Sequence, residues 1–570
     1  MIDVHYRDLR DMLENTEKLY RDEVAYKLKF RSEIVGIKYS KFIDDIKALG
    51  AYLLDLNMKN NRIIVISKNR YEWCVSYLAT VTSDLIVVPL DKSLPEEEFY
   101  SLVERAEADV IIYDNIYEDR IKKLKENEKT TLKYYINMDT DLNKCIEEGK
   151  VSYSKNNCKY KKVKIDSEKM RFMLFTSGTT STSKCVMLSH KNICADIEQI
   201  SATLDVNKDD TLLSFLPLHH TFECTAGFLY AISVGAKIAF CDGIRHMVDN
   251  MKEYEVSAMI SVPALYESIY KRVWKQIEQG KREKQVKVAL KASEALLKVG
   301  VDMRKQLFKQ IHETFGGHVR FLVSGAAGID PKVAKGFNDF GIIMYQGYGL
   351  TETSPVVSVE NMEFSRNGSV GKPMKKNEVK IDEPDADGIG EILVKGPNVM
   401  LGYYKNDEET KKVLSHGWFK TGDLGRVDED GFLYITGRKK DVIVLKNGKN
   451  IFPEELEALV NRIDCVKESM VYGGKDKDGD VEVKVKIVYD KDAVLDKLGV
   501  IQDEELEEYF WENIKKVNKE MPTYKYIKGM ILTDEPLIKT TTNKVKRFEE
   551  LKKINKWRTE RALYENMVLL

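Results

Sequence analysis

The chain has 570 residues, 43% of them hydrophobic and 9% aromatic, a length and composition that fit a globular protein with more than one core. Its 90 basic and 91 acidic side chains nearly cancel, so no basic field is available and nucleic acid is set aside as a partner. Eight cysteines include no C-x-x-C pair, which argues against a zinc framework or a disulfide scaffold and for reduced thiols in a cytoplasmic setting.

The N-terminus "MIDVHYRDLRDMLENTEK" is charged and has no apolar h-region, so no signal peptide is read there. No apolar run reaches the ~18 residues that a spanning helix needs. "RIIVIS" (62–67) then reads as a buried strand, "RYEWCVSYLATVTS" as a helix and "LIVVPL" (85–90) as a second strand. Ser93 and Glu96 form a capping-box pattern before "EEFYSLVERAEA", and "VIIY" (110–113) follows. Strand–helix alternation of this kind implies an α/β fold with a mostly parallel sheet.

"LFTSGTTSTSKCVMLSH" (174–190) raises the question of a phosphate loop. Against G-x-x-x-x-G-K-[ST], Gly178 and Lys184 are in register, but Ser183 replaces the second glycine and Cys185 the Mg²⁺-binding hydroxyl. Thr176, Ser177, Thr179, Thr180 and Ser181 still offer hydroxyls around Gly178, and Lys184 adds a point charge. Taken alone, the stretch is equally a flexible polar turn.

Further strands are expected at "TLLSFLPL", "KIAF", "AMISVP" and "RFLVSG". Residues 264–318 are highly charged with apolar positions at helical spacing, and read as a helical insertion. After about residue 375 short strands with glycine-rich turns take over, and beyond Arg438 a compact α+β segment begins. The expected division is therefore 1–437, a linker at 438–441 within "TGRKKD", and 442–570.

Four later segments carry chemistry. "YQGYGLTETSP" (345–355) sets Gly347 and Gly349 around Tyr348, followed by Thr351 and Glu352, a pattern suited to a flat ring, a phosphate and Mg²⁺. "GWFKTGDLG" (417–425) sets Asp423 in an expected tight turn, where a carboxylate can take both hydroxyls of a ribose. "GRKKDVIVLKNGKNIFPEELE" opens on Arg438 and runs into a lysine- and glycine-bearing loop, and "PLIKTTTNKVKR" presents Lys544 in a short polar turn. Each alone reads equally as turn glycines, a capping Asp or surface lysines.

Together and in this order, "TSGTT…K", "YGLTE", "GWFKTGDLG", "GRKKD" and "NKVKR" resemble the AMP-forming, acyl-activating adenylating enzymes over roughly residues 20–550. The helical insertion and "LPLHHTFE" resemble the long-chain fatty acyl-CoA synthetase branch most. The resemblance implies a large N-terminal domain of stacked mixed and parallel sheets with flanking helices and a distorted β-barrel subdomain, followed by a small mobile α+β C-terminal domain. It implies ATP, Mg²⁺ and coenzyme A as participants and a fatty acid as substrate. A carboxylate attacks the α-phosphate to give acyl-AMP and pyrophosphate, and a thiol then displaces AMP.

Residue by residue, the resemblance makes Lys544 the mobile cation at the α-phosphate and Thr351 a contact to it. It gives Glu352 and Thr176 to Mg²⁺, and the Thr176–Thr180 loop with Lys184 to the outer phosphates. Asp423 and Arg438 match ribose contacts; Ala326, Gly347 and Tyr348 match the wall around adenine and acyl groups. His220 and Phe222 match an aromatic segment at the acyl or thiol channel, with a packed core histidine the competing reading. Lys440 falls at the hinge, whose rotation would bring Gly448 over the thiol path. Ser181, Ser183 and Cys185 depart from the family's Gly, Pro and Gly, which predicts altered loop mobility with catalysis retained; Cys185 is expected to be buried and inert.

Two other readings stay open at this point: a ligase loading an acyl carrier protein's phosphopantetheine, and a non-catalytic acyl or nucleotide sensor. The tail "LKKINKWRTERALYENMVLL" fits packing on its own domain or peripheral docking on the inner membrane face. Monomer and homodimer both remain open.

Overall fold

The computed structural model describes residues 4–31, 33–127, 129–176, 183–477, 479–499, 503–540 and 544–556. Ser177, Gly178, Thr179, Thr180 and Ser181 of the phosphate loop, and the tail from Trp557, lie outside the described residues. The chain forms two compact units. The first is Met1–Val379, Leu393–Lys420 and Glu429–Leu433; the second is Lys380–Ile392, Thr421–Asp428 and Tyr434–Leu570.

The first unit contains two large mixed sheets. One runs, in hydrogen-bonded order, Gly402–Tyr403, Lys184–Ser189, Met170–Thr176, Ile86–Pro89, Arg62–Ile66, Val110–Tyr113 and Tyr134–Asn137. Its last five strands are parallel, whereas Met170–Thr176 and Lys184–Ser189 are antiparallel. Ile63, Ile64, Val65 and Ile66 are all buried, the continuous apolar run that a parallel strand covered on both faces requires. The other sheet has nine strands and includes Val24–Phe30, Thr211–Ser214, Ala258–Ser261, Phe321–Ser324 and Ile343–Gly349. Crossover helices such as Tyr71–Val81 bury large side chains here; Trp73 stacks on Tyr77, with ring centroids 5.0 Å apart.

The capping box expected at Ser93 and Glu96 does not form. Pro95 directly precedes the helix Glu96–Ala106, which has no side-chain cap, and the Ser93 amide donates to Asp91 Oδ1 at 2.8 Å. Pro95 takes the N-cap place and, lacking both a side-chain acceptor and an amide proton, cannot form a capping box. Residues 263–314 fold as helices, the longest being Pro263–Gln279 and Glu283–Lys298.

Glu378–Asp382, Gly390–Lys395, Trp418–Val427, Leu414–Ser415 and Leu433–Arg438 make a five-stranded sheet. Within the second unit, Val466–Lys475, Val481–Tyr489 and Gly529–Thr533 form a three-stranded sheet. Leu506, Phe510 and Ile514, one face of the helix Asp503–Lys519, join its core.

Candidate active site

The phosphate-loop stretch is anchored as a strand pair. Thr176 sits opposite Lys184 in register, and its Oγ1 donates to the Lys184 carbonyl at 3.4 Å. A P-loop instead needs a helix directly after the loop, whose N-terminal amides face the phosphate. A strand follows here, so the P-loop reading fails on topology as well as on Cys185. That cysteine is 3% exposed, and burial pushes its thiol up to about 12, which makes it an inert core side chain.

Lys184 is held among side chains that no glycine-and-hydroxyl motif advertised. Its Nζ pairs with Glu409 Oε2 at 2.9 Å and lies 4.8 Å from the Tyr403 ring centre. Hydrogen bonds from Lys412 and Lys184 hold the Glu409 carboxyl down to about 2. Tyr403, nearly buried, donates its hydroxyl to Glu352 Oε1 at 2.9 Å. Thr176, Lys184, Tyr403 and Glu352 are thus linked in one row of contacts. The only sequence trace of this was a Tyr–Tyr pair and an acidic run in "LGYYKNDEET".

The strand Ile343–Gly349 brings Gly347 and Tyr348 to its C-terminal end, opposite Val359 and Ser358. Gly349 is required by space: a Cβ there would lie 1.9 Å from the Pro355 carbonyl oxygen. The chain then turns through Thr351–Thr353, where the Leu350 amide donates to Thr353 Oγ1 at 3.0 Å. Asn398 clamps this turn by donating to the Thr353 and Val356 carbonyls, each at 2.8 Å. Asp196 accepts from the Val356 amide at 3.2 Å, and its burial pushes the carboxyl well above the usual carboxylate range. The Met400 amide donates to the Glu352 carbonyl at 2.8 Å, fixing the backbone of the candidate acid. Asn398 and Asp196 hold the Thr353–Val356 backbone that follows Thr351 and Glu352, and nothing in the sequence pattern marked either.

At the end of the neighbouring strand Phe321–Ser324, Ala326 adopts a left-handed φ of 67°. Phe222 packs there: a Cβ on Gly325 would meet its ring at 2.8 Å. Phe222 opens a π-helical stretch to Leu229, a feature frequent at functional sites. His220 precedes it, its ring centre 4.0 Å from that of His219.

In the second unit, Arg438 Nε pairs with Asp423 Oδ1 at 2.7 Å. Asp423 does not sit in a tight turn, as expected, but inside the strand Trp418–Val427; the bend is confined to Gly422, at φ 71°. Thr421 Oγ1 accepts from the Asp423 amide at 3.0 Å, and pairing with Leu433–Arg438 puts the arginine alongside. Lys440 lies in the short turn Lys439–Asp441, and Gly448 in the hairpin between Ile443–Val444 and Asn450–Ile451. Lys544 is exposed, and its carbonyl accepts from the Thr540 amide at 2.8 Å beside the bridge between Lys539 and Val545. Arg547, three residues on, pairs with Glu457 at 2.7 Å and donates to the Val471 carbonyl at 3.0 Å.

Residues 13–404 match the AMP-binding enzyme family, and residues 440–557 match the AMP-binding enzyme C-terminal domain. The chain belongs to the AMP-binding enzyme family. This member is 30% identical over 563 residues to the mouse (Mus musculus) long-chain-fatty-acid–CoA ligase 5, spanning 90% of this chain and 82% of that protein. It is 27% identical to a chloroplastic long-chain-fatty-acid–[acyl-carrier-protein] ligase of Arabidopsis thaliana, over 82% of this chain and 75% of the relative. The anthranilate CoA ligase AuaEII, solved with anthranoyl-AMP, shares the fold at a TM-score of 0.77 and 18% identity, covering 97% of this chain and 98% of its own. This family member is an AMP-forming acid–thiol ligase.

Proposed function

We propose that the enzyme activates a long-chain fatty acid with ATP to acyl-AMP, releasing pyrophosphate, and transfers the acyl group to coenzyme A. The observation that carries the adenylation half is the row Thr176–Lys184–Tyr403–Glu352, in which a cation, two hydroxyls and a carboxylate meet at the ends of paired strands. The fatty-acid assignment is supported by the 30% identical relative across 90% of the chain.

Joining a carboxylate to a triphosphate brings two anions together, so positive charge and hydrogen-bond donors must face the phosphates. In this reading Lys184 faces the outer phosphates and Thr351 the α-phosphate. Lys544 supplies the cation that stabilises charge growing on the α-phosphate oxygens. Glu352 and Thr176 are hard oxygen donors suited to Mg²⁺, and Glu352 Oε2 carries no partner among the described residues, so the donor set fits that ion. Bound there, Mg²⁺ would neutralise phosphate charge. Asp423, paired with Arg438, accepts from the ribose hydroxyls. Rotation at Lys440 is the proposed way of exchanging Lys544 for the Gly448 loop between the half-reactions.

A second reading, favoured by the plant relative, makes an acyl carrier protein the acceptor. AMP release measured with acids from acetate to stearate plus an aryl acid, each with CoA, with a carrier protein or with neither, separates them. The expected outcome is long-chain-dependent AMP release that rises with CoA. Activity confined to an aryl or short acid removes the fatty-acid assignment, and stimulation by carrier protein alone removes CoA.

A further inference from the structure

Asp91, His219 and His220 bring three ligating atoms within 4.8 Å of one another, outside the row assigned to phosphate. Asp91 follows the strand Ile86–Pro89 of the seven-stranded sheet; the two histidines follow Thr211–Ser214 of the nine-stranded sheet. The His219 side chain is only 9% exposed, and its buried Nε2 makes no hydrogen bond. That nitrogen faces Asp91 Oδ2 at 3.5 Å.

A charge-assisted hydrogen bond would close this gap to about 2.7–2.9 Å. A buried nitrogen left without a hydrogen bond is costly, so the separation calls for an explanation. Two ligands on one tetrahedral ion with bonds of about 2.0–2.1 Å stand roughly 3.3 Å apart, close to what is observed. Two imidazoles and one carboxylate form a borderline donor set that suits a first-row transition ion such as Zn²⁺ and leaves a coordination position open.

We propose that Asp91, His219 and His220 form a binding site for one divalent transition-metal ion, Zn²⁺ being the expected occupant, which ties together the two large sheets of the first unit. Both histidines would bind the ion as neutral imidazoles. Its donor set differs from Glu352 and Thr176, whose oxygens suit Mg²⁺.

The test is titration of the full-length protein, without nucleotide, by Co²⁺ followed in visible absorption, and then by Zn²⁺. One equivalent of Co²⁺ giving strong d–d bands that Zn²⁺ abolishes is expected, with a rise in melting temperature that saturates at the same stoichiometry. Asp91→Asn should weaken binding by more than the ~10–100-fold that losing a merely supporting residue costs. His219→Ala should abolish the bands and Glu352→Gln should leave them intact. His219→Gln serves where the alanine variant melts early. No stoichiometric uptake by the wild type, or bands that persist in a folded His219 variant, overturns the proposal.

Discussion

Tyr403→Phe removes one hydroxyl and leaves the ring. The lost interaction is the 2.9 Å hydrogen bond to Glu352 Oε1, made by a tyrosine that is 4% exposed. A hydrogen bond to a charged partner contributes about 1.5–3 kcal/mol, and Glu352 is only half-buried, so the lower end applies. About 1.5 kcal/mol corresponds to a roughly tenfold fall in kcat/KM for ATP. The ring still lies beneath Lys184 at 4.8 Å, so the melting temperature should scarcely change. Fatty-acid-dependent exchange of radiolabelled pyrophosphate into ATP reads the adenylation step directly. Unchanged exchange in Tyr403→Phe, with Glu352→Gln strongly impaired, would refute the argument that Tyr403 orients the candidate acid.

Lys544→Ala should lower fatty-acid-dependent pyrophosphate release by ~100-fold or more, the usual cost of losing a group that stabilises transition-state charge. Transfer from pre-formed acyl-AMP to CoA should be much less affected, and equal loss of both steps contradicts the assigned role. Glu454 provides a pH prediction. Burial is the main cause that pushes its carboxyl up to about 7, aided by Glu457 and Asp441 and opposed by Arg547, while its Oε2 is buried without a partner. A carboxyl raised in the folded state contributes stability that is complete below about 4.5 and is lost as pH rises through about 7. Glu454→Gln should therefore flatten the decline in thermal stability between about pH 5 and 8. The effect should be on the order of 1 kcal/mol, because the side chain is 40% exposed and water screens it. An identical pH profile in the variant contradicts this.

Much of the chemistry was legible because the resemblance rests on short motifs in a fixed order. Gly349 must be glycine where backbone approaches backbone, and Thr351 with Glu352 follows it in the same turn. Alternating strand and helix patterns implied the parallel sheets, since a strand covered on both faces must be apolar throughout. The turn assigned to Asp423 and the cap assigned to Ser93 were misread for local reasons. A single left-handed glycine can bend a strand without ending it, and Pro95 can start a helix without a side-chain cap.

What only the tertiary structure decided are the contacts made across long sequence distances. Glu352 meets Tyr403 from 51 positions away, Lys184 meets Glu409 from 225, and Asn398 reaches Asp196 from 202. The pairing of Asp91 with His219 depends likewise on where two sheets place the ends of their strands. Spacing rules describe one helix face or one turn, and they say nothing about which strand ends become neighbours. The amino-acid sequence by itself supplied the ordered motifs whose resemblance to a family implied the reaction class; the packing of the sheets decided which partners hold the motifs' side chains in place.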